Sequence, residues 1–428
     1  MTKSRRNEKL NRMSLAMAFM GVLAGTSTLN AACKARQFDK SEDSDASGIG
    51  RRKAPALALG QETFERGDEQ YEKSKTAEIV DLSLKLMEKN GKVNGTQVRE
   101  VHSKAHGCMR AMFKVDDDLP ADWEVGVFRK GAIYPTWARA SNGAPGVGKD
   151  SERQTSRGFA LKLMGIDSSA PRLELLGLEG KDGGLRKVDN EKRTQDFLLV
   201  NGRRFFIRDL ETYARFLEAS NNEKTLTSFL SINPLKWPQN GAMFLALLER
   251  TRLKIANPLE VPYFSAVPYS FNHAQQTGAA KYKIEPCNGS PEQVVPKDPA
   301  DSYLRDAMRK TLSAGGACYR FLVLRQVDAA KQPIEDSTVE WKVEETESRA
   351  VATLTIPKQD FEAPDVVKTC EDMSFHPWHG LEAHRPLGQM GLCHEADQSR
   401  RPRREPTQWT CGSMRRPSPM GNDDWSAS

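Results

Sequence analysis

Apolar positions recur with two different periods along this chain. In "TAEIVDLSLKLMEKNG", residues 76–91, Ile79, Leu82, Leu86 and Met87 fall on one face at three- and four-residue spacing, which predicts a helix ended by Gly91. From 100 to 207 the pattern becomes that of strands: "VHSKAHGCMRAMFKV", "WEVGVFRKG", "AIYPTWARASN", "RGFALKLMG" and "DFLLVNGRRFFI", broken by Gly, Pro and Asp. Short runs at this spacing predict a barrel or sandwich. Helical spacing returns in "DLETYARFLEAS" and "NGAMFLALLERTRL", and strand-like pieces follow as "KYKIEPC", "CYRFLVLRQV", "STVEWKV" and "VATLTIP". Strands, helices and strands again predict an α+β fold in which distant segments close one sheet.

The 428 residues are 38% hydrophobic, enough for a sizeable core, and carry a formal charge of +6. That charge sits at the ends: residues 1–12 contribute +4 and residues 399–428 contribute +3, so the part between is close to neutral. No nucleic-acid partner is expected, because phosphate affinity needs a basic face on the folded body. The amino terminus has the make-up of an export leader, with a basic start, the apolar run "MSLAMAFMGVLAG" and the small-residue stretch "TSTLNAAC". Cleavage after Ala32 would give a periplasmic or secreted protein. Lipidation of Cys33 would instead tether it to a membrane, although Asn30 stands where a lipobox carries an apolar side chain. The expected organisation is a signal peptide over 1–32, a flexible linker over 33–59, one folded domain over 60–388 and a disordered basic tail over 389–428. The seven cysteines are spaced singly, without a CxxC pair or zinc spacing, and Cys108, inside a strand pattern, reads as a small core residue.

Candidate chemistry centres on "REVHSKAHGC", residues 99–108, which holds two of the seven histidines. An imidazole titrating near neutrality is suited to moving protons. His106, four residues beyond His102, shares its side of the strand unless a bulge intervenes. Taken in order, "RxxHxK" at 99–104, "WARASNG" at 137–143, "RGFALKLMG" at 157–165 and "DFLLVNGRRFFIRD" at 196–209 resemble the heme catalases. "VPYSFNHA", "CYRFLVLRQVD" with "PIEDSTVEW", and "CEDMSFHPWHGLEAHRPLG" are similar to the shorter catalase-related branch of that superfamily, with its peroxidase-like and allene oxide synthase-like proteins.

The resemblance implies an antiparallel β-barrel with surrounding helices, heme b as cofactor, and a peroxide-cleaving oxidoreductase of catalase or peroxidase type acting on hydrogen peroxide. An organic or fatty-acid hydroperoxide is the alternative substrate. It implies His102 as the distal histidine that passes a proton between the peroxide oxygens, Ser141 as the hydroxyl that orients it, and Asn201 as a donor to the peroxide. Arg99 and Arg139 match the partners of the heme propionates. Tyr213 matches an aromatic near the heme, with packing on a helix face as its other reading, and His106 takes a structural role.

The chain departs from the family pattern at its end. There a tyrosinate holds the iron, in an RxxxY motif that follows "HRPLG" by roughly ten residues in the short branch. Here "HRPLG" is intact at 384–388, but "QMGLCHEADQSRRPRREPTQW" follows, and no tyrosine occurs after Tyr319. By spacing, Gln398 stands at the ligand's place and His394 at that of its arginine, while the prolines of "SRRPRREP" break the expected helix. His394 or Cys393 is a chemically possible replacement ligand. The change in composition past Gly388 has the look of a reading-frame slip, and a noncatalytic, heme-free relic of the fold is the alternative to an enzyme.

Overall fold

The computed structural model describes residues 68–391, except 94–95, 98, 100, 145, 152–155, 168, 171–192, 223–228, 231–234, 236 and 273–277. The expected leader and linker, and the tail beyond residue 391, lie outside the described residues.

Helix α1 (Glu69–Asn90) starts earlier than the apolar spacing predicts, because the Asp68 carboxylate accepts the Gln70 and Tyr71 N–H groups at 2.9 and 3.0 Å and caps it there. It ends at Gly91, whose φ of +71° suits a residue without a Cβ. A ribbon of β1 (Lys92–Val93) and β2 (Thr96–Gln97) follows. Then come β3 (Ala105–Val115), β4 (Ile133–Asn142), β5 (Arg157–Met164) and β6 (Thr194–Val200), each beside the next and antiparallel. Helices α2 (Leu210–Asn221), capped by Asp209, and α3 (Trp237–Arg252) interrupt them. The chain continues through β7 (Tyr263–Ser265), β8 (Tyr269–Ser270), β9 (Ala279–Pro286), α4 (Tyr303–Ala314), β10 (Ala317–Arg325), β11 (Glu347–Ile356) and α5 (Pro364–Asp372).

Pairing runs β10-β11-β3-β4-β5-β6-β7-β9, and β9 also pairs with β10, so eight antiparallel strands close a barrel, with β8 added on β9. The alternation of each strand puts one set of residues inside: Phe113, Phe159, Phe197, Tyr282 and Phe321 are fully buried there. Their rings meet edge to face, Phe113 with Phe321 at 5.2 Å and Phe197 with Tyr282 at 4.9 Å. The other set faces outward, and over β3 to β6 it packs under α5 in a second cluster of Cys108, Trp137, Val366, Cys370, Met373 and Phe375.

Three expectations are corrected. "WEVGVFRKG" forms turns rather than a strand, because Phe128 inserts among the barrel aromatics and the Val127 N–H donates to His384 Nε2 at 3.1 Å. "STVEWKV" likewise runs as turns, since Ser337 Oγ donates to the Ile207 carbonyl and Asp336 accepts from Arg208 Nε at 2.9 Å, bracing the segment against the β6–α2 connection. Cys108 is no plain core residue: it is disulfide-bonded to Cys370 of α5, Cα to Cα 5.7 Å, while Cys287 and Cys318, 5.4 Å apart, staple β9 to β10 at the barrel's closure.

Candidate functional site

Sheet register gathers His102, Ser141 and Gly158 on the outer face of β3, β4 and β5, while Asn201 follows β6 opposite Arg157. Ser141 pairs with Ala105 of β3 on one side and Gly158 of β5 on the other, and Gly158 pairs with Val200, next to Asn201. His102 precedes β3, with Nδ1 3.0 Å from Ser141 Oγ. Its ring lies on Gly158, where an added Cβ would meet Nδ1 at 2.3 Å and Cε1 at 2.4 Å, so any other residue there displaces the imidazole. His102 has a φ of +54°, in the left-handed region that residues with a Cβ seldom occupy. Arg139 Nη2 donates to its carbonyl at 3.0 Å. Asn201 Oδ1 accepts the Arg157 N–H at 2.6 Å, which fixes the amide against the residue before Gly158, with Nδ2 as its donor side.

A bulge between Ala105 and Gly107 does intervene, and it turns His106 away from His102. His106 is fully buried with Nε2 2.9 Å from Asn142 Oδ1, while Asn142 Nδ2 donates to Asp150 at 3.0 Å and Lys104 Nζ pairs with the same carboxylate at 2.8 Å. Burial pushes the His106 imidazole down to about 3, with Asp150 opposing, so it is neutral.

Arg99 and Arg139 are both buried. Arg99 donates from Nη1 to Glu371 at 3.0 Å and from Nη2 to the Met373 carbonyl at 2.9 Å. Arg139 is 4% exposed, and burial, together with the neighbouring Arg99 charge, brings its guanidinium down to about 9, still cationic at neutral pH. Its Nε is buried without a hydrogen-bond partner in the protein. Tyr213, on α2, stacks on Phe216 with ring centroids 6.5 Å apart. Sequence reasoning missed Glu371 and Gly158. Glu371 lies on a short helix that was not foreseen, and Gly158 was visible only as the glycine of "RGFA".

Further along this face, Lys162 Nζ meets Asp196 Oδ1 and Oδ2 at 2.8 and 2.9 Å, both side chains being buried. Asp196 also accepts the His376 N–H at 2.9 Å and lies 3.3 Å from His379 Nδ1, which fixes the 373–381 segment against the barrel.

The expected cofactor is met on one side only. A buried arginine N–H without a partner, beside a half-buried imidazole, suits a ligand that carries carboxylates. The family's tyrosine ligand has no counterpart past Tyr319, the last of the eight, and Tyr263, Tyr269, Tyr282 and Tyr319 are sealed in the barrel, their phenols raised by burial and therefore neutral. Among the described histidines, His106, His376, His379 and His384 are buried and His102 alone is half-buried. Cys393, His394 and Gln398 lie outside the described residues. No group of three or more His, Cys, Asp or Glu able to hold a bare metal ion occurs among the described residues.

No protein-family model and no curated protein sequence matches the chain. Solved structures do. A fungal catalase superposes with a TM-score of 0.54 at 14% identity, over 71% of this chain and 58% of its own. Catalase A from Saccharomyces cerevisiae gives 0.50 at 14% identity, over 72% of this chain and 60% of its own. A bacterial catalase gives 0.52 at 15% identity, over 84% of this chain and 66% of its own. The chain thus spans about three-fifths to two-thirds of the length of the structures it matches. What the likeness establishes is the architecture: this is a catalase-like fold, an antiparallel eight-stranded barrel with helices around it.

Proposed function

We propose that this chain is a heme protein of the shorter catalase-related branch, cleaving hydrogen peroxide with heme b as cofactor. The reading is carried by the seat of His102, an imidazole held by Ser141 on a bare glycine beside a buried guanidinium with an unspent N–H. Arg139, and Arg99 where Glu371 yields, would hold the heme carboxylates through charge-assisted hydrogen bonds. Bound heme supplies the iron at which the peroxide O–O bond is broken. His102 does the proton work. With Nδ1–H donating to Ser141 Oγ, Nε2 keeps the lone pair that takes the proton from one peroxide oxygen and returns it to the other, so that water leaves. Asn201 Nδ2 steadies the peroxide by donating to it, its oxygen being fixed by the Arg157 N–H.

The absence of a tyrosine after Tyr319 leaves the iron without its family anchor, so heme affinity and turnover are expected to be strongly reduced. That observation favours a second reading, a noncatalytic relic of the fold. An organic or fatty-acid hydroperoxide is the alternative substrate, supported by the short-branch motifs. An exported site of action, periplasmic or secreted, is supported by the leader pattern and by two disulfides of a kind that persists in oxidising compartments.

The test uses the full chain purified with and without added hemin. A Soret band with oxygen release from hydrogen peroxide is expected, and His102→Ala should keep the band while losing about 10²- to 10⁴-fold in cleavage. A folded chain with no Soret band even with added hemin decides for the heme-free relic, and retained turnover in His102→Ala removes the histidine from its role.

A further inference from the structure

Strand β4 grips His102 at two points. Ser141 holds the ring, and Arg139, two residues earlier on the same face, holds the backbone carbonyl through Nη2 at 3.0 Å. The second contact matters because His102 is the one non-glycine residue with positive φ among the described residues. A residue with a Cβ stays left-handed only where its surroundings impose it. Without a donor to the carbonyl, the peptide can relax toward the ordinary region, and the ring then leaves the narrow place above Gly158. Arg139 has one donor spent on this carbonyl and a second, Nε, buried and unspent. The guanidinium is planar and rigid, so an acceptor that draws Nε into a hydrogen bond also sets where Nη2 points. Arg99 differs, since its donors go to Glu371 and to the Met373 carbonyl.

We propose that Arg139 is a positioning residue for His102, whose guanidinium fixes the left-handed turn at the histidine and thereby couples binding of a carboxylate-bearing ligand to the seating of the imidazole. The identity of that ligand as a porphyrin rests on the function proposed above; the link between guanidinium and imidazole does not.

The experiment follows carbethoxylation of His102 by diethylpyrocarbonate, resolved by peptide mass spectrometry, in the heme-free full chain. Gly158→Ala, which displaces the ring with Arg139 intact, sets the rate for an unseated imidazole. Arg139→Met is expected to reach that rate, Arg139→Lys to return most of the protection, and Arg99→Gln to stay near the wild-type rate. Metal-free protoporphyrin IX is expected to slow the reaction in the wild type more than its dimethyl ester, and to make no such distinction in Arg139→Met. Wild-type protection in a folded Arg139→Met chain overturns the proposal, as does equal exposure in Arg99→Gln. Should Arg139→Met fail to fold by circular dichroism, Arg139→Gln takes its place beside Arg99→Gln: exposure in both, or in neither, overturns it. If neither porphyrin form binds the wild type, the porphyrin reading and the ligand coupling fail, while the rates in the variants still decide whether Arg139 seats His102.

Discussion

His384 Nδ1 lies 2.9 Å from the Tyr282 hydroxyl inside the barrel, and its Nε2 accepts the Val127 N–H from the Phe128 plug. An acceptor nitrogen has no proton, so this imidazole is neutral, and burial pushes it down to about 3. His106 is held down to the same value, again by burial. In the unfolded chain both titrate at the ordinary histidine value, near 6.5. Between about 6.5 and 3 the unfolded state therefore binds more protons, and stability, fully present above 6.5, falls with pH by about 1.4 kcal/mol per unit for each imidazole. Urea unfolding should show a lower midpoint at pH 4.5 than at pH 7, and His384→Gln should flatten the slope by one group. Equal midpoints at both pH values contradict this account.

Lys162 and Asp196 form a pair with side chains 1% and 0% exposed. Lys162→Met leaves a buried carboxylate without its counter-charge and should cost about 3–5 kcal/mol. Asp196 also receives the His376 N–H, so the 373–381 segment should loosen with it. Thermal melting and protease susceptibility within that segment check both effects; a loss below 1 kcal/mol rules out the electrostatic argument.

The Cys108–Cys370 disulfide closes a separation of 262 residues. Its removal by Cys370→Ser should lower stability by about 2–5 kcal/mol. With both disulfides formed, Cys108, Cys287, Cys318 and Cys370 are withdrawn from the seven cysteines of the chain. Thiol titration in denaturant without reductant should count no more than three, and a count of seven after oxidative expression is the contrary result.

Asn201→Asp keeps the acceptor for the Arg157 N–H and removes the Nδ2 donor. Folding should survive, while peroxide cleavage by the heme-loaded chain falls on the order of 10²-fold. Equal cleavage rates in variant and wild type mean that the amide does not face the peroxide.

The barrel was legible where the hydrophobic period was regular: β4, β5, β9, β10 and β11 fall on the runs read as strands, and Asp209 and Gly91 mark helix ends. Where an apolar run serves as a plug, as at Phe128, period alone could not separate it from a strand, since Trp123, Val125 and Val127 are buried in alternation. The site divided in the same way. His102 and Ser141 meet because strand register brings them together, and their motifs stand in the sequence, whereas Asn201 comes opposite Arg157, one residue out of register with Gly158. The bulge that separates His106 from His102 and the glutamate that occupies Arg99 depend on long-range packing, which leaves no local mark.

The seam between β3 and β11 joins segments from nearly opposite ends of the described chain, Val115 against Ala352. Such non-local pairing is slow to form, and β3 presents an open edge until β11 has been synthesised. The nascent protein therefore passes most of its elongation as an incomplete sheet with that edge open to aggregation. Cys108 and Cys370 come within bonding reach only once that seam has zipped, so the timing of their oxidation should report when the molecule has finished maturing.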